Sequence, residues 1–592
     1  MSENNDASLT DHAMLVVWGQ YAHCLGLIQA FEQIPLAQKS VNHTPQSKVL
    51  EFLVAHLAGL EYLKDISRSA HPLDQDQAVA RAWGQTAWAD YSGVSRTLKL
   101  LTDVDVQHFA TILEVTIRPL IDQEVALALG KGYVELDGDL SPRPVSNNCR
   151  TYPGAEYGHM NDRLQLGYQA AVVCMRSPTY GRVGLSAVHH AGKTVSVTQA
   201  EALVLEAERR LERRPLRRTG LLAQRIERME PEFQKRQQTV VEAQANLAEA
   251  QTACEQIDHQ RQKTCQRLAE LEAEYRAKQR LERPNSHPAK ARQQVAVYSR
   301  RLERRQRAVL QAEAWLEQQR SRLAEWKDEK SLLAERLQHF QAQNAANPNP
   351  IRAVIRLDAG FGDAKNLALL IEMGYEVYSK PYGNWLSGRL AKMSTEQCEQ
   401  AVVADWQKVG QNAEMLAWKS YALDDFPYPL DLGCERFWQG DRDGAPRLSY
   451  SGLLHFGDQE VASDLPTWFH DYNARQNIEA GNKESKQVFE VQHIKVRSRP
   501  VMRLQEHFAL FAANFVRFAA HWLAQQCPQV PNGWQKSTCP KVKEQVKVGA
   551  HSPAQVEWYG TDCLLRFTDR SVYVGRSFLV RRELAIQLTL RL

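Results

Sequence analysis

The segment Ala353-Val-Ile-Arg-Leu-Asp358-Ala-Gly-Phe-Gly-Asp363 decides the fold class of this 592-residue chain. A short apolar run that ends at an acidic residue and is followed by glycines is typical of a buried parallel strand that opens onto a crevice. Ligands of α/β proteins bind at the carboxyl ends of such strands, so Asp358 is a candidate ligand. Asp363 stands where the next helix begins, which is the position of an N-cap.

A second strand with acidic residues lies upstream, at Tyr133-Val-Glu-Leu-Asp137-Gly-Asp139-Leu-Ser-Pro142. Alternate side chains of a strand face the same side, so Asp137 and Asp139 could both project toward one site. Asp-Gly is also a common turn pair, and a simple β-turn is the alternative interpretation.

A third group of charged residues has helical spacing. At 100° per residue, five side chains fall within an arc of about 80° on one predicted helix: Tyr472, Arg475, Glu479, Lys483 and Lys486. That face would carry a carboxylate among basic groups. The alternative interpretation is a solvated polar face with ion pairs four residues apart.

Three acidic groups from separate segments are what a two-metal phosphoryl-transfer site requires. Two Mg²⁺ ions about 4 Å apart bring four positive charges together, and carboxylates must bridge and offset them. Basic residues beside the acidic ligands would then hold nearby DNA phosphates.

The spacing Tyr472-x2-Arg475-x3-Glu479-x6-Lys486 matches the Y-R-E-K signature of one large group of DDE transposases from bacterial insertion sequences, and the chain resembles that group. The segment Arg356-Leu-Asp358-Ala-Gly-Phe361 is similar to the group's second-aspartate segment. The resemblance implies an RNase H-like catalytic core, two Mg²⁺ ions for which Mn²⁺ can substitute, and cleavage and joining of DNA strands.

The same resemblance implies roles for individual residues. Asp358 becomes the second catalytic metal ligand and Glu479 the third. The first ligand stays open, because the form Asp-x-Ser/Thr favours Asp139 whereas the form Asp-Gly-x favours Asp137. The residues expected to bind transposon-end DNA are Tyr472, Arg475 and Lys486, with Lys483 on the same face.

A glycine-free stretch separates the first and second acidic segments. Residues from Leu221 to Ala359 are rich in helix formers, with apolar residues at heptad-like spacing, which is typical of a coiled coil. Prolines in Arg283-Pro-Asn-Ser-His-Pro288 break the pattern, so two long helices should fold back as an antiparallel hairpin. Residues 201–340 contain 29 basic and 22 acidic residues. This charge predicts a solvated coiled-coil surface or a contact with DNA or a second protomer.

The predicted fold class is α/β, with an RNase H-like core, a helical N-terminal domain, a long antiparallel coiled-coil insertion and a β-rich insertion. The predicted segments are a helical N-terminal domain for DNA-end binding (1–130), the first core segment (131–200), the coiled-coil hairpin (201–347), the second core segment (348–375), the β-rich insertion (376–465), the third core segment with the Y-R-E-K helix (466–527), and a linker with a small β-rich end (528–592).

Composition limits the remaining possibilities. The 73 basic and 69 acidic residues leave a net charge of +4, which excludes a global polycation. We find no signal peptide and no run that could span a bilayer, so we expect a cytoplasmic, nucleoid-associated protein without a membrane partner. The expected function is a transposase that binds double-stranded transposon ends and target DNA, as a homodimer in the DNA complex. A domesticated DNA-binding or scaffolding protein without transposition activity is the alternative.

Overall fold

The structure is a computed structural model. It describes residues 7–39, 42–146, 152–160, 163–383, 385–396, 398–424, 426–440, 446–536 and 539–582. The outermost residues of the predicted segments 1–130 and 528–592 therefore lie outside the described residues. The chain divides into two compact units: a hairpin unit, Arg217–Ala346, and a core unit formed by the segments before and after it.

Sixteen α-helices run through the described residues in the following order: α1 (Ala13–Cys24), α2 (Leu27–Glu32), α3 (Pro45–Leu57), α4 (Asp65–Arg68), α5 (Gln77–Ala82), α6 (Tyr91–Lys99), α7 (Asp103–Gly130), α8 (Ala200–Leu211), α9 (Thr219–Ala277), α10 (His287–Ala345), α11 (Ala364–Glu372), α12 (Trp385–Glu396), α13 (Leu465–Asn473), α14 (Gln476–Gln487), α15 (Arg499–Gln526) and α16 (Cys539–Lys547).

The described strands are β1 (Ala7–Thr10), β2 (Val134–Pro144), β3 (Glu156–Met160), β4 (Arg163–Ser177), β5 (Gly181–Ala191), β6 (Ala353–Arg356), β7 (Glu376–Ser379), β8 (Val403–Lys408), β9 (Ala413–Tyr421), β10 (Leu430–Gly440), β11 (Pro446–Phe456), β12 (Ala554–Tyr559), β13 (Asp562–Phe567) and β14 (Ser577–Val580). The predicted α/β class is confirmed in its general form, as a mixture of helices and mixed sheets.

A ten-stranded sheet forms the centre of the core unit. Its order is β3-β4-β2-β6-β7-β11-β10-β9-β8, and β5 also pairs with β4. Strands β2, β6 and β7 run parallel, while β4 is antiparallel to β2 and β5 is antiparallel to β4. The predicted β-rich insertion, 376–465, begins with β7, which is parallel to β6 and belongs to the core. Its remaining strands are antiparallel and continue the same sheet beyond β7. The insertion is thus an extension of the central sheet.

Strand β6 is buried at all four positions, as expected for a central parallel strand covered on both faces. It ends just before Asp358, and α11 follows. The predicted N-cap of that helix is confirmed, because a side-chain oxygen of Asp363 accepts the backbone N–H of Lys365 at 3.1 Å. After β6 the chain forms α11 and returns as the parallel strand β7. The end of β6 therefore lies on the same side of the sheet's strands as the start of α11.

Helix α15 packs on β5 through a polar contact as well as apolar ones. The amide of Asn514 donates to the carbonyl of Gly184 and accepts its N–H, both at 2.8 Å. A Cβ at Gly184 would lie 2.5 Å from a methyl group of Leu510. The glycine therefore lets helix and strand approach closely enough to form both hydrogen bonds.

Both chain ends contribute to a second, four-stranded sheet with the order β1-β12-β13-β14. The N-terminal segment predicted as helical thus also supplies a strand, and the predicted β-rich C-terminal segment also contains α16. Strand β1 pairs antiparallel with β12 from Ala7↔Glu557 to Thr10↔Ala554. Local sequence periodicity cannot reveal a pairing between segments more than 500 residues apart.

The hairpin unit consists of α9 and α10, joined by a short loop. Helix α10 begins where the sequence predicts a break: the Ser286 hydroxyl caps it, and Pro288 lies in its first turn. Helix α9 continues through Pro231. The unit begins at Arg217 rather than near 201, because α8 belongs to the core unit and buries its own apolar face there.

Among the helices of the described residues, none is both long enough and apolar enough to cross a membrane.

Candidate active site

Two of the predicted acidic residues lie on neighbouring parallel strands. Strands β2 and β6 pair in register from Val134↔Ala353 to Asp137↔Arg356. The same register, continued by two residues, places Asp139 beside Asp358. Adjacent strands are about 4.8 Å apart, so residues from segments separated by more than 200 positions become neighbours.

Asp137 is fully buried and bound to Arg356 of the adjacent strand. The guanidinium donates from Nε to Oδ1 at 2.6 Å and from Nη2 to Oδ2 at 3.1 Å. Burial raises the pKa of Asp137, and Arg356 opposes that rise. This bidentate pair joins β2 to β6 and gives the charge of Asp137 a partner inside the sheet.

Asp139 lies among the other acidic residues. Its Oδ2 accepts a hydrogen bond from the amide of Asn482 at 2.6 Å. The pKa of Asp139 is raised to about 6, chiefly by burial, then by repulsion from Asp358, with a smaller contribution from Glu479. The three acidic side chains predicted from the sequence are therefore close enough to repel one another electrostatically.

Asp358 is held at the end of β6 by the turn that follows it. Its Oδ1 accepts the backbone N–H of Gly360 at 2.9 Å, which starts a short 3₁₀-helix. Burial raises the pKa of Asp358, whereas Arg475 and the turn's N–H groups lower it. The carboxylate is thus fixed in direction by the backbone.

The Y-R-E-K residues lie on two helices, and the prediction of one continuous helix is wrong. Tyr472 lies in α13, and Glu479 lies in α14. Between them, the N–H groups of Arg475, Asn477 and Ile478 bond to carbonyls three residues back. This 3₁₀ pattern is tighter than an α-helix and breaks the regular 100° progression. Helical spacing alone could not reveal it.

Arg475 supplies the positive charge among the three acids. Its Nη2 lies 2.7 Å from Oε1 of Glu479. Burial alone would lower the pKa of Arg475, but nearby Tyr472, Asp139, Asp358 and Glu479 raise it. The guanidinium is therefore the counter-ion of the whole acidic group.

Tyr472 is buried, with only 4% of its surface exposed. Its hydroxyl donates to the carbonyl of Leu357 at 3.4 Å, and the ammonium of Lys380 lies 5.6 Å from its ring centre. Burial raises the pKa of Tyr472 to about 12. The contact to Leu357 positions the end of β6 next to Asp358, which differs from the exposed DNA contact that the resemblance implies.

The two lysines of the signature face have different surroundings. Lys483 is exposed. Lys486 is partly buried, and burial together with Arg143 lowers its pKa, while Asp139 and Glu506 oppose this. Lys486 thus lies within electrostatic reach of Asp139, whereas Lys483 faces solvent.

Several residues that the sequence prediction missed hold α14 in place. Glu484 is fully buried and accepts from Arg517 of α15 at 2.8 and 2.7 Å and from Arg182 of β5 at 3.4 Å. Asn482, which contacts Asp139, would stand at about 280° on the predicted helix, just outside the 80° arc. This position close to the arc was the only feature of the sequence that pointed to Asn482.

The donor set fits a hard divalent cation, because the free oxygens of Asp139, Asp358 and Glu479 are the ligand type that Mg²⁺ prefers. Their mutual repulsion is what a cation would relieve. Among the described residues, no three acidic, histidine or cysteine side chains are arranged to hold an ion as they stand. In this site Glu479 is turned to Arg475, with 54% of its side chain exposed.

Comparison with known proteins adds no family: no family model matches the chain, and no curated protein shows significant similarity to it.

Proposed function

We propose that the protein is a DDE transposase, which binds insertion-sequence ends and catalyses Mg²⁺-dependent cleavage and transfer of DNA strands. One observation carries the proposal. The register of β2 and β6 brings Asp139 beside Asp358, and Glu479 of the Y-R-E-K signature lies within electrostatic reach of both. These three acids, distant in sequence, are the ones that we propose act together as one site.

The sheet around the site supports an RNase H-like core within this proposal. Three parallel strands, β2, β6 and β7, are flanked on one side by the antiparallel strands β4 and β5. Asp358 follows the end of β6, where ligands of α/β sheets bind, and Asp139 lies on β2 two residues beyond its last pair with β6. The third acid comes from a helix that packs on β2.

We assign the acidic residues as the ligands of two Mg²⁺ ions, with Mn²⁺ as a substitute: Asp139, Asp358 and Glu479. When bound, the ions activate an attacking oxygen and stabilise a leaving oxygen. Asp137 keeps β2 and β6 in register through Arg356, and Asn482 orients the carboxylate of Asp139.

The basic residues have distinct roles in the proposal. Arg475 holds Glu479 in the free protein and would be available to a DNA phosphate once Glu479 binds a cation. Lys486 and Lys483 extend the positive surface from the site outward. Joining two transposon ends to one target requires two sites, so we propose a homodimer on double-stranded DNA.

The test uses the full chain and a supercoiled plasmid that carries its gene with natural flanking DNA. With Mg²⁺, the unmodified protein should cut at the gene's borders and transfer the freed 3′ ends. Glu479→Gln should reduce cutting below detection while binding of the border DNA persists. The matched control is Glu396→Gln, an exposed carboxylate on α12, which should cut normally.

A second readout is independent of cutting. Calorimetric titration with MnCl₂ should show tight binding to the unmodified chain and at least about tenfold weaker binding to Glu479→Gln. Undiminished cutting by Glu479→Gln would refute the assignment. Border binding without any cutting by the unmodified chain would favour the domesticated DNA-binding protein instead.

A further inference from the structure

The hairpin unit carries its net charge in one place. We define the basic band as residues 259–267 of α9 and 297–308 of α10. The band contains eight basic residues and one acidic residue, Glu303, whereas the rest of Arg217–Ala346 contains seventeen of each. Charge in the remainder is balanced, as in an ordinary solvated coiled coil. The whole positive excess of the hairpin lies in the band.

The antiparallel register brings the two halves of the band together. Near the band, Arg292 of α10 forms an ion pair with Glu272 of α9. Further along, Val240 and Ala243 of α9 pack with Leu316 of α10. Between these contacts, residues 300–307 lie opposite approximately 253–262. Basic side chains from both helices therefore share one stretch of the hairpin.

The arginines of α10 point away from the helix–helix seam. At about 100° per residue, Arg300, Arg304 and Arg307 fall at about 0°, 40° and 340°, opposite Leu302 and Val309 at about 200° and 180°. All three are exposed. Leu302, in contrast, is buried in the seam. The charged stripe thus faces outward along two turns of helix.

The outward-facing arginines of the basic band lack carboxylate partners among the described residues. None of Arg300, Arg304, Arg305 and Arg307 forms an ion pair with a carboxylate in the portion of the chain that the structure describes. Like charges three and four residues apart on a helix repel and destabilise it. A polyanion that binds along such a stripe neutralises the repulsion between the arginines and therefore stabilises the helix.

We propose that the basic band binds the phosphate backbone of double-stranded DNA. Duplex DNA carries one negative charge per roughly 1.7 Å of its axis, and the stripe from Arg300 to Arg307 spans about 10 Å, so several phosphates lie within its reach. Guanidinium groups bind phosphate oxygens in a forked geometry. The choice of DNA among polyanions rests on the proposed function.

The experiment measures binding of the full chain to a duplex of arbitrary sequence in EDTA, at several salt concentrations. The band variant combines Arg300→Gln, Arg304→Gln and Arg307→Gln. A matched control removes three exposed arginines outside the band: Arg276→Gln, Arg320→Gln and Arg322→Gln. Glutamine keeps helix propensity, and circular dichroism checks that both hairpins are formed.

The band variant should bind at least about tenfold more weakly, and its salt slope should fall by about 3, at roughly 0.9 per lost phosphate contact. The control should change affinity less than about twofold. The inference would be overturned if both variants weakened DNA binding equally, or if neither variant weakened it. It would also be overturned by a band variant that binds DNA normally but loses binding to phosphatidylserine vesicles.

The readout in EDTA is independent of the proposed chemistry. If the plasmid test fails but the band variant loses DNA affinity, the band stands and the transposase assignment falls. If cleavage depends on Glu479 and the band variant binds DNA like the control, the transposase assignment stands and the proposed role of the basic band is wrong.

Discussion

At the scale of residues, Asp137 and Asp139 show how two identical side chains on one strand acquire different roles. Asp137 neutralises Arg356 inside the sheet, where both of its oxygens are occupied. Asp139 lies two residues further on, where burial and two neighbouring carboxylates raise its pKa to about 6. Asp137 stabilises the pairing of β2 with β6, whereas a bound cation would relieve the repulsion around Asp139.

We therefore expect opposite results from the two isosteric substitutions. Asp137→Asn removes the bidentate partner of the buried Arg356 and leaves Glu135, at 3.4 Å, as its counter-ion, so it should destabilise the core unit by about 1.5–3 kcal/mol. Asp139→Asn removes repulsion among the acids and should leave the melting temperature unchanged or raise it. It should also weaken Mn²⁺ binding at least about tenfold.

Differential scanning calorimetry and MnCl₂ titration on both variants check this. Each variant serves as the control for the other. A stable Asp137→Asn protein with weakened Mn²⁺ binding would mean that the roles are exchanged.

At the scale of elements, the position of α14 depends on buried charge. Glu484 is bound by arginines from α15 and β5, and Ile478 is buried against β4 and β5. Gly481 lies under Arg182, whose guanidinium also bonds to the carbonyl and side chain of Asn477. These contacts set the helix that carries Glu479 at a fixed distance from the sheet.

Gly481→Ala should destabilise the protein, although alanine is the better helix former. A Cβ there would lie 2.9 Å from Cζ and Nε of Arg182, which cannot withdraw without losing its bonds to Asn477 and Glu484. We expect a loss of about 1–3 kcal/mol.

Gly388→Ala is the matched control, because Gly388 lies in α12 with open space around its Cβ position. That substitution should be neutral or stabilise by up to about 1 kcal/mol. Urea unfolding of both variants gives the comparison. A Gly481→Ala protein as stable as the control variant would show that Arg182 can move without cost.

At the scale of the whole molecule, several histidines of the core unit are held neutral. Burial lowers the pKa to about 4 for three partly buried histidines: His23, His189 and His507. For His507, the nearby positive charges of Arg210 and Arg503 add to the effect of burial. In the unfolded chain, each returns to its ordinary value of about 6.5.

Stability should therefore fall as the pH drops from about 6.5 to 4. In that interval the unfolded chain binds protons that the folded core unit does not, so acid favours unfolding. At pH 5 each of these partly buried histidines would cost about 1 kcal/mol, because solvent screens part of the effect.

Melting temperatures measured at pH 7.5 and pH 5 check this expectation. His507→Gln should show a smaller decrease than the unmodified protein. An equal decrease in both would mean that His507 does not contribute.

The features that depend on local periodicity could be predicted from the sequence. The hairpin of α9 and α10, the buried strand β6 and the cap at Asp363 follow from heptads, an apolar run and a capping residue, which act within a few turns of chain. The spacing from Tyr472 to Lys486 was likewise visible as a motif. The groups that this motif contacts in the folded protein could not be predicted from the sequence.

Which groups come into contact depends on how distant segments pack together. The register of β2 and β6 pairs Arg356 with Asp137. Hydrogen bonds of the 3₁₀ type divide the predicted helix after Tyr472. Strand β1 pairs with β12, which lies near the other end of the chain. These outcomes depend on burial and on hydrogen bonds between segments hundreds of residues apart. Local propensity contains no information on such pairings, because their free energy arises only when the distant segments are already packed together.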